Sequence, residues 1–140
     1  KNKNISACIE SEGINSDSSV LIINSIGKTS QLYEYAEAAF VGGTLVERGG
    51  HNIIEPAFFN CPIIIGPSMF NFEAIAEDFI KNKACRVVSD HKSLANTFTD
   101  IMLNDVERLS MTNSASMVIE RNSGASDLQL SAIIDALNGV

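Results

Sequence analysis

Short apolar runs that each end at a turn constrain this chain most. Val20-Leu21-Ile22-Ile23 runs into Ser25-Ile26-Gly27, Ala39-Phe40-Val41 into Gly42-Gly43, and Ile63-Ile64-Ile65 into Gly66-Pro67. Runs this short, without polar alternation, read as strands buried on both faces. Ser6 to Glu10 and Cys85 to Val88 read as further strands, and Ser11 to Ser19 as a polar connection. Helical spacing fills the intervals. Lys28 to Ala38 carries Leu32, Tyr33, Tyr35 and Ala36, and Asn71 to Lys81 carries Phe72, Ile75, Ala76, Phe79 and Ile80 on one side. Asn52 stands as an N-cap with Glu55 in capping-box position, and that helix is expected to reach Asn60. Ser89-Asp90 caps a helix that turns Leu94, Phe98, Ile101 and Met102 inward. Val106 to Ile119 and Ser126 to Leu137 read as two last helices, separated at Gly124. This rhythm predicts an α/β fold: a three-layer, Rossmann-like parallel sheet with helices on both faces. In such a sheet a ligand sits beyond the carboxyl ends of the strands.

Composition narrows the function classes. Ten Lys and Arg stand against 17 Asp and Glu, a net charge of -7. A dedicated nucleic-acid binder shows a basic face instead, so no nucleic-acid partner is expected. No apolar run approaches the ~18 residues of a membrane span. The polar start, Lys1 to Asn4, has no signal-peptide core and no initiating Met, which reads as a chain truncated at its N-terminus. Cys8, Cys61 and Cys85 have neither metal-ligand nor disulfide-framework spacing and read as small buried hydrophobes.

The chemistry concentrates between Gly42 and Glu55. Gly42, Gly43, Gly49 and Gly50 let main chain approach a ligand closely. Arg48 and His51 add side-chain donors next to a helix start, where free N–H groups and the helix dipole favour an anion. Glu55 reads either as an acceptor for ribose hydroxyls or as the capping partner of Asn52. Asn71 reads as the cap of the following helix or as a residue that positions a loop, and Tyr33 and Tyr35 as packing residues or as stacking partners for a base. No Asp-x-Asp pair lies in the glycine loops, so no metal site is expected.

The string Phe40-Val41-Gly42-Gly43-Thr44-Leu45-Val46-Glu47-Arg48-Gly49-Gly50-His51-Asn52-Ile53-Ile54-Glu55-Pro56-Ala57, followed by Pro62 to Ile65 and Gly66-Pro67-Ser68-Met69-Phe70-Asn71-Phe72, resembles a known family. It is similar to the C-terminal domain of the 3-deoxy-D-manno-octulosonic acid (Kdo) transferases, GT-B glycosyltransferases of lipopolysaccharide synthesis. The family pattern is F-V-G-G-S-L-V-x-R-G-G-H-N-x-x-E, and the dense part of the match runs from about Val20 to Ala76.

The resemblance implies that residues 1–140 form a single donor-binding domain, the C-terminal half of a GT-B enzyme. The full enzyme would move Kdo from CMP-Kdo to a lipid A precursor, lipid IVA, at the cytoplasmic face of the bacterial inner membrane. It implies CMP contacts at Ile26, Gly27 and Lys28 and at Asn52, Ile53, Ile54 and Glu55, with Gly42, Gly43, Arg48, Gly49, Gly50 and His51 as a supporting loop. It implies no cofactor beyond the donor substrate. The general base, the acceptor site and the membrane contact would belong to an N-terminal domain outside this chain, so no catalytic residue is assigned here and the chain alone is expected to be inactive. Two features depart from the family. Lys28 replaces an acidic residue, with Ser25 and Ile26 in place of Thr and Met, and no P-R-H motif precedes Ser6. Two other readings stand beside this one: another GT-B nucleotide-sugar enzyme, transferase or epimerase, and a non-catalytic nucleotide-binding module.

Overall fold

The computed structural model describes residues 5–138, so the polar start Lys1 to Asn4 lies outside the described residues. The chain forms two compact units that divide between Leu32 and Tyr33. In the first, β1 (Ala7–Ile9) and β2 (Val20–Ile22) pair in parallel, with Ala7 opposite Val20 and Ile9 opposite Ile22. A 3-10 turn, Glu10–Glu12, follows β1, and the short helix α1 (Thr29–Leu32) closes the unit.

The second unit starts with a 3-10 turn, Tyr33–Tyr35. Three parallel strands follow: β3 (Ala39–Phe40), β4 (Ile63–Ile65) and β5 (Arg86–Val87), in the order β3-β4-β5. Between and after them come α2 (Ile54–Phe58), α3 (Glu73–Lys81), α4 (His91–Leu103) and α5 (Asp105–Asn138). Successive side chains of a strand point to opposite faces. Ile63 and Ile65 accordingly join one core with Ile53, Ala57, Phe79 and Val118, while Ile64 joins another with Val88, Ile101 and Met111. All three isoleucines are fully buried. Each contributes about 1.5–3 kcal/mol of burial free energy. The two cores are the two interfaces of a three-layer α/β arrangement with β4 at its centre.

Several local expectations do not hold. Val20, Leu21 and Ile22 form a strand but are exposed, because a two-stranded pair has no second apolar layer within its own unit. The helix expected over Lys28 to Ala38 is only α1 followed by the 3-10 turn. The Asn52–Glu55 capping box does not form. Ile53 already has helical dihedrals and sits in the cap position without a side-chain bond, and α2 stops at Phe58 rather than Asn60. The helix expected from Asn71 begins at Glu73, after a 3-10 turn over Phe70–Phe72. Ile80 and Met102 are exposed rather than inward. The two helices expected after Val106 are one continuous helix, α5, with no break at Gly124. The cap at Asp90 does hold: its carboxylate accepts from the amides of Lys92 and Ser93, and Ser93 completes the box. Cys61 and Cys85 are buried free thiols that burial pushes up to about 11 and about 12, so neither is a nucleophile at neutral pH. Cys8 is half-buried rather than buried.

Candidate functional site

Parallel pairing puts the carboxyl ends of β3, β4 and β5 on one edge of their sheet. The loop that leaves β3, Val41 to Ile53, and the loop that leaves β4, Gly66 to Phe72, both start there and are fastened to each other. Thr44 is fully buried between them. Its hydroxyl donates to the Val41 carbonyl (2.7 Å) and accepts from the Gly66 amide (2.7 Å). Its carbonyl accepts from the Ser68 amide at 2.9 Å. The Gly49 amide donates to Ser68 Oγ at 3.1 Å. Asn71 completes the fastening: its amide donates to the Gly49 carbonyl (3.2 Å) and its side chain to the Arg48 carbonyl (3.1 Å). Asn71 is therefore a tie between loops, not the helix cap its position suggested.

This fastening accounts for the glycines. Gly43, Gly49 and Gly50 have φ of 73°, 76° and 71°, the left-handed region where glycine carries no steric penalty. A Cβ on Gly49 would lie 2.5 Å from Phe70 and 2.6 Å from Asn71, and one on Gly50 would lie 2.6 Å from Met69 Sδ. The close approach expected for a ligand at Gly49 and Gly50 is taken by the protein's own Met69–Asn71 segment. The Gly50 amide is likewise not open to an anion, since it donates to the Gly43 carbonyl at 3.2 Å.

Beyond Gly50 the main chain is less occupied. The amides of His51, Asn52 and Ile53 donate to no group among the described residues. Asn52 Oδ1 accepts from the Ile54 amide at 2.9 Å, which turns the chain into α2. That helix has five residues, too short for the dipole expected of it, so the free amides are what it offers an anion. Ile53 is fully buried, main chain included, so the contact expected at Ile53 is closed to a ligand and the open amides are those of His51 and Asn52. His51, Ile54 and Glu55 are exposed, as is Arg48. Half-buried Tyr33 stands within the field of Glu55: burial first, then that negative charge, raises its phenol.

The second expected stretch, Ile26–Lys28, belongs to the first unit. Gly27 has φ of 86°, and a Cβ on it would meet nothing within 4 Å. Ile26 is wholly exposed. Lys28 is not free: its ammonium pairs with Glu10, whose other oxygen accepts from Ser25 Oγ at 2.6 Å. The Lys28 and Ser25 bonds hold the Glu10 carboxyl below its usual range. Glu10, Thr44 and Ser68 were not singled out as partners of these loops in the sequence. Only the parallel register of the strands brings them there.

A hollow of about 540 Å³ opens at the carboxyl edge, bounded by Glu47, Pro67, Ser68 and Phe70. A larger groove of about 620 Å³ runs beside edge strand β5, past Ile80, Val87, Val106 and the Arg86–Glu107 ion pair. Position favours the first as the ligand side, since parallel sheets bind beyond their carboxyl ends. Among the described residues no group of His, Cys, Asp and Glu could hold a metal ion.

No family model matches the chain. It is 32% identical over 112 residues to the 3-deoxy-D-manno-octulosonic acid transferase of Haemophilus influenzae, covering 79% of this chain and 26% of the relative. It is 30% identical over 118 residues to the enzyme of that name from Bordetella pertussis, covering 84% of this chain and 28% of the relative. The chain thus spans between a quarter and a third of the length of these relatives. Its fold matches the crystal structure of the C-terminal CMP-Kdo binding domain of WaaA from Acinetobacter baumannii with a TM-score of 0.79. That match has 29% sequence identity and covers 83% of this chain and 62% of that one. In sequence and in fold alike the chain is similar to the C-terminal domain of the Kdo transferases, and its architecture is that of the C-terminal half of a GT-B glycosyltransferase.

Proposed function

We propose that residues 1–140 act as the donor-binding domain of a Kdo transferase of lipopolysaccharide synthesis, and that the ligand held here is CMP-Kdo. The observation that carries this reading is the Phe40–Ala57 string. It leaves β3 at the carboxyl edge of the sheet, in a chain whose fold matches a CMP-Kdo binding domain. In the second unit the donor would meet the free amides of His51 and Asn52, with the exposed Glu55 carboxylate accepting from ribose hydroxyls; in the first unit the Ile26–Lys28 turn is a donor contact in its own right. Gly43, Gly49 and Gly50 serve that site by fastening its loops, Gly42 lies against His51 as part of the same supporting loop, and exposed Arg48 meets phosphate.

In the full reaction a hydroxyl of the lipid A precursor, lipid IVA, attacks the anomeric carbon of Kdo. Its proton passes to a general base, and the bond from the anomeric carbon to the phosphate oxygen breaks with CMP as leaving group. The base and the acceptor site belong to a further domain of the longer protein, which also meets the cytoplasmic face of the inner membrane. Among the described residues no helix is long and apolar enough to cross a membrane. This domain positions the donor and stabilises charge on the departing phosphate through fixed N–H groups, with no cofactor.

Calorimetric titration with CMP-Kdo, CMP and cytidine tests the proposal. CMP-Kdo and CMP are expected to bind and cytidine to bind more weakly, because only the first two carry phosphate. Glu55→Gln should weaken CMP by about 1–3 kcal/mol, the scale of a charged hydrogen bond. It should leave the unfolding midpoint unchanged, since Glu55 caps nothing. Equal binding of CMP by wild type and Glu55→Gln would remove Glu55 from the site, and no binding of CMP or CMP-Kdo would contradict the proposal as a whole.

A further inference from the structure

The Gly27 turn is open, and one carboxylate holds both its ends. Ser25 and Lys28 bracket Ile26-Gly27. Ser25 Oγ donates to one oxygen of Glu10 and the Lys28 ammonium to the other. The register of β1 and β2 makes this possible: Ile9 lies opposite Ile22, so Glu10 leaves its strand at the level where the chain turns toward Ser25. A second tie runs alongside, from the Asn24 side-chain amide to Ser11 Oγ at 2.8 Å. The Glu10 side chain is only 15% exposed and that of Lys28 58%, so the carboxylate is the fixed partner and the lysine closes over it. The amides of Ile26 and Gly27 donate to no group among the described residues, whereas the turn directs the Lys28 amide back toward Ser25. Nothing lies within 4 Å of where a Gly27 Cβ would stand.

We propose that Glu10 is a positioning residue for nucleotide binding: it clamps Ser25 and Lys28 so that the main-chain amides of the Gly27 turn, rather than the Lys28 ammonium, meet the phosphate. The proposal rests on the reading of this domain as a CMP site and adds which group does the holding and which the binding. It also gives the lysine a role in a position where a cation would otherwise be taken as the phosphate contact. Lys28 is spent on Glu10, so the pair presents little net charge to the ligand, and the turn binds through preorganised N–H groups.

Charge exchange separates the two roles of Lys28. Glu10→Lys, Lys28→Glu and the double variant would be titrated with CMP in the full chain at low, fixed salt, with the amide spectrum as the check on folding. Each single variant places like charges together, opens the turn and should weaken CMP by about tenfold, an energy difference of about 1.4 kcal/mol. The double variant restores an opposite pair and should recover affinity close to wild type, although position 28 is then acidic. A double variant that binds as weakly as Lys28→Glu would overturn the clamp and make the ammonium the phosphate contact. Should a reversal variant fail to fold, Glu10→Gln replaces it: it should shift the Ser25 and Lys28 amides of the free protein and weaken CMP, and unchanged shifts with unchanged affinity would overturn the clamp equally. Wild type that binds no CMP contradicts the donor-site reading itself, an outcome distinct from binding that the exchange fails to restore.

Discussion

The chain has two kinds of glycine turn. Gly27 and the pair Gly49-Gly50 all have positive φ, and all lie in loops that follow strands. A Cβ at Gly27 would meet open space, whereas Cβ atoms at Gly49 and Gly50 would meet Phe70, Asn71 and Met69 at 2.5–2.6 Å. Gly27 is held by an ion pair and a hydroxyl, while the Gly49-Gly50 loop is held by uncharged groups of Thr44, Ser68 and Asn71 and by main chain. One turn is open, and the other is a joint of the scaffold. A glycine in a binding loop is thus evidence for close approach, but what approaches is decided by the neighbouring loop.

The sharpest way to break this contrast is at the joint. A Cβ on Gly66 would lie 2.3 Å from the Thr44 carbonyl oxygen, and the atoms it meets are main chain that cannot step aside. Gly66→Ala should cost about 3 kcal/mol, at the upper end of overpacking penalties, in denaturant unfolding. Thr44→Val is next. It removes the bond to Val41 and leaves the buried Gly66 amide without its acceptor, a loss of about 2 kcal/mol by the same measurement. Gly27→Ala should cost only about 1 kcal/mol, the left-handed backbone penalty without a clash. Its effect should appear instead as weaker CMP binding, because the methyl group takes ligand space. A Gly27→Ala stability loss equal to that of Gly66→Ala would erase the distinction between the turns.

The smallest effect separates the turns by charge. Glu10 has its carboxyl lowered, first by Lys28 and then by Ser25, from a usual 4.5. A lowered folded value means the clamp is fully present above the usual value and is lost as pH falls through the lowered one. Acid titration should therefore move the Ser25–Lys28 amides before the Gly49–Asn71 amides, whose ties carry no titrating group. Simultaneous movement of both sets would show that the loops share one determinant.

The sequence made β4 legible because three isoleucines in a row fit only a strand covered on both sides, and Ile63, Ile65 and Ile64 indeed divide between two cores. Val20–Ile22 has the same chemistry and forms a strand, yet it is exposed, since pairing partners and covering layers are not written in a local run. The Asn52–Glu55 capping box failed for a related reason, although Asn52 itself still caps the Ile54 amide. Ile53 is drawn into the core with helical dihedrals, so the helix starts beyond it and Asn52 turns to the Ile54 amide instead. The glycine string, Arg48, His51 and Glu55 were visible as a loop at a strand end. Their ties to Ser68 and Asn71, about twenty residues on, were not. Glu10 was beyond local reading because it meets Ser25 and Lys28 across 15 and 18 residues, through strand register alone.

The function proposed for this chain has CMP meeting main chain of the Gly27 turn in the first unit and of the loop before α2 in the second. Residue-by-residue amide shifts during a CMP titration test it most directly. Ile26–Lys28 and His51–Glu55 should each shift and saturate as CMP is added, while Gly49, Gly50, Thr44 and the β5 groove around Val87 and Met111 stay nearly still. Shifts centred on the β5 groove, or on Gly49 and Gly50 with Gly27 unmoved, would contradict it.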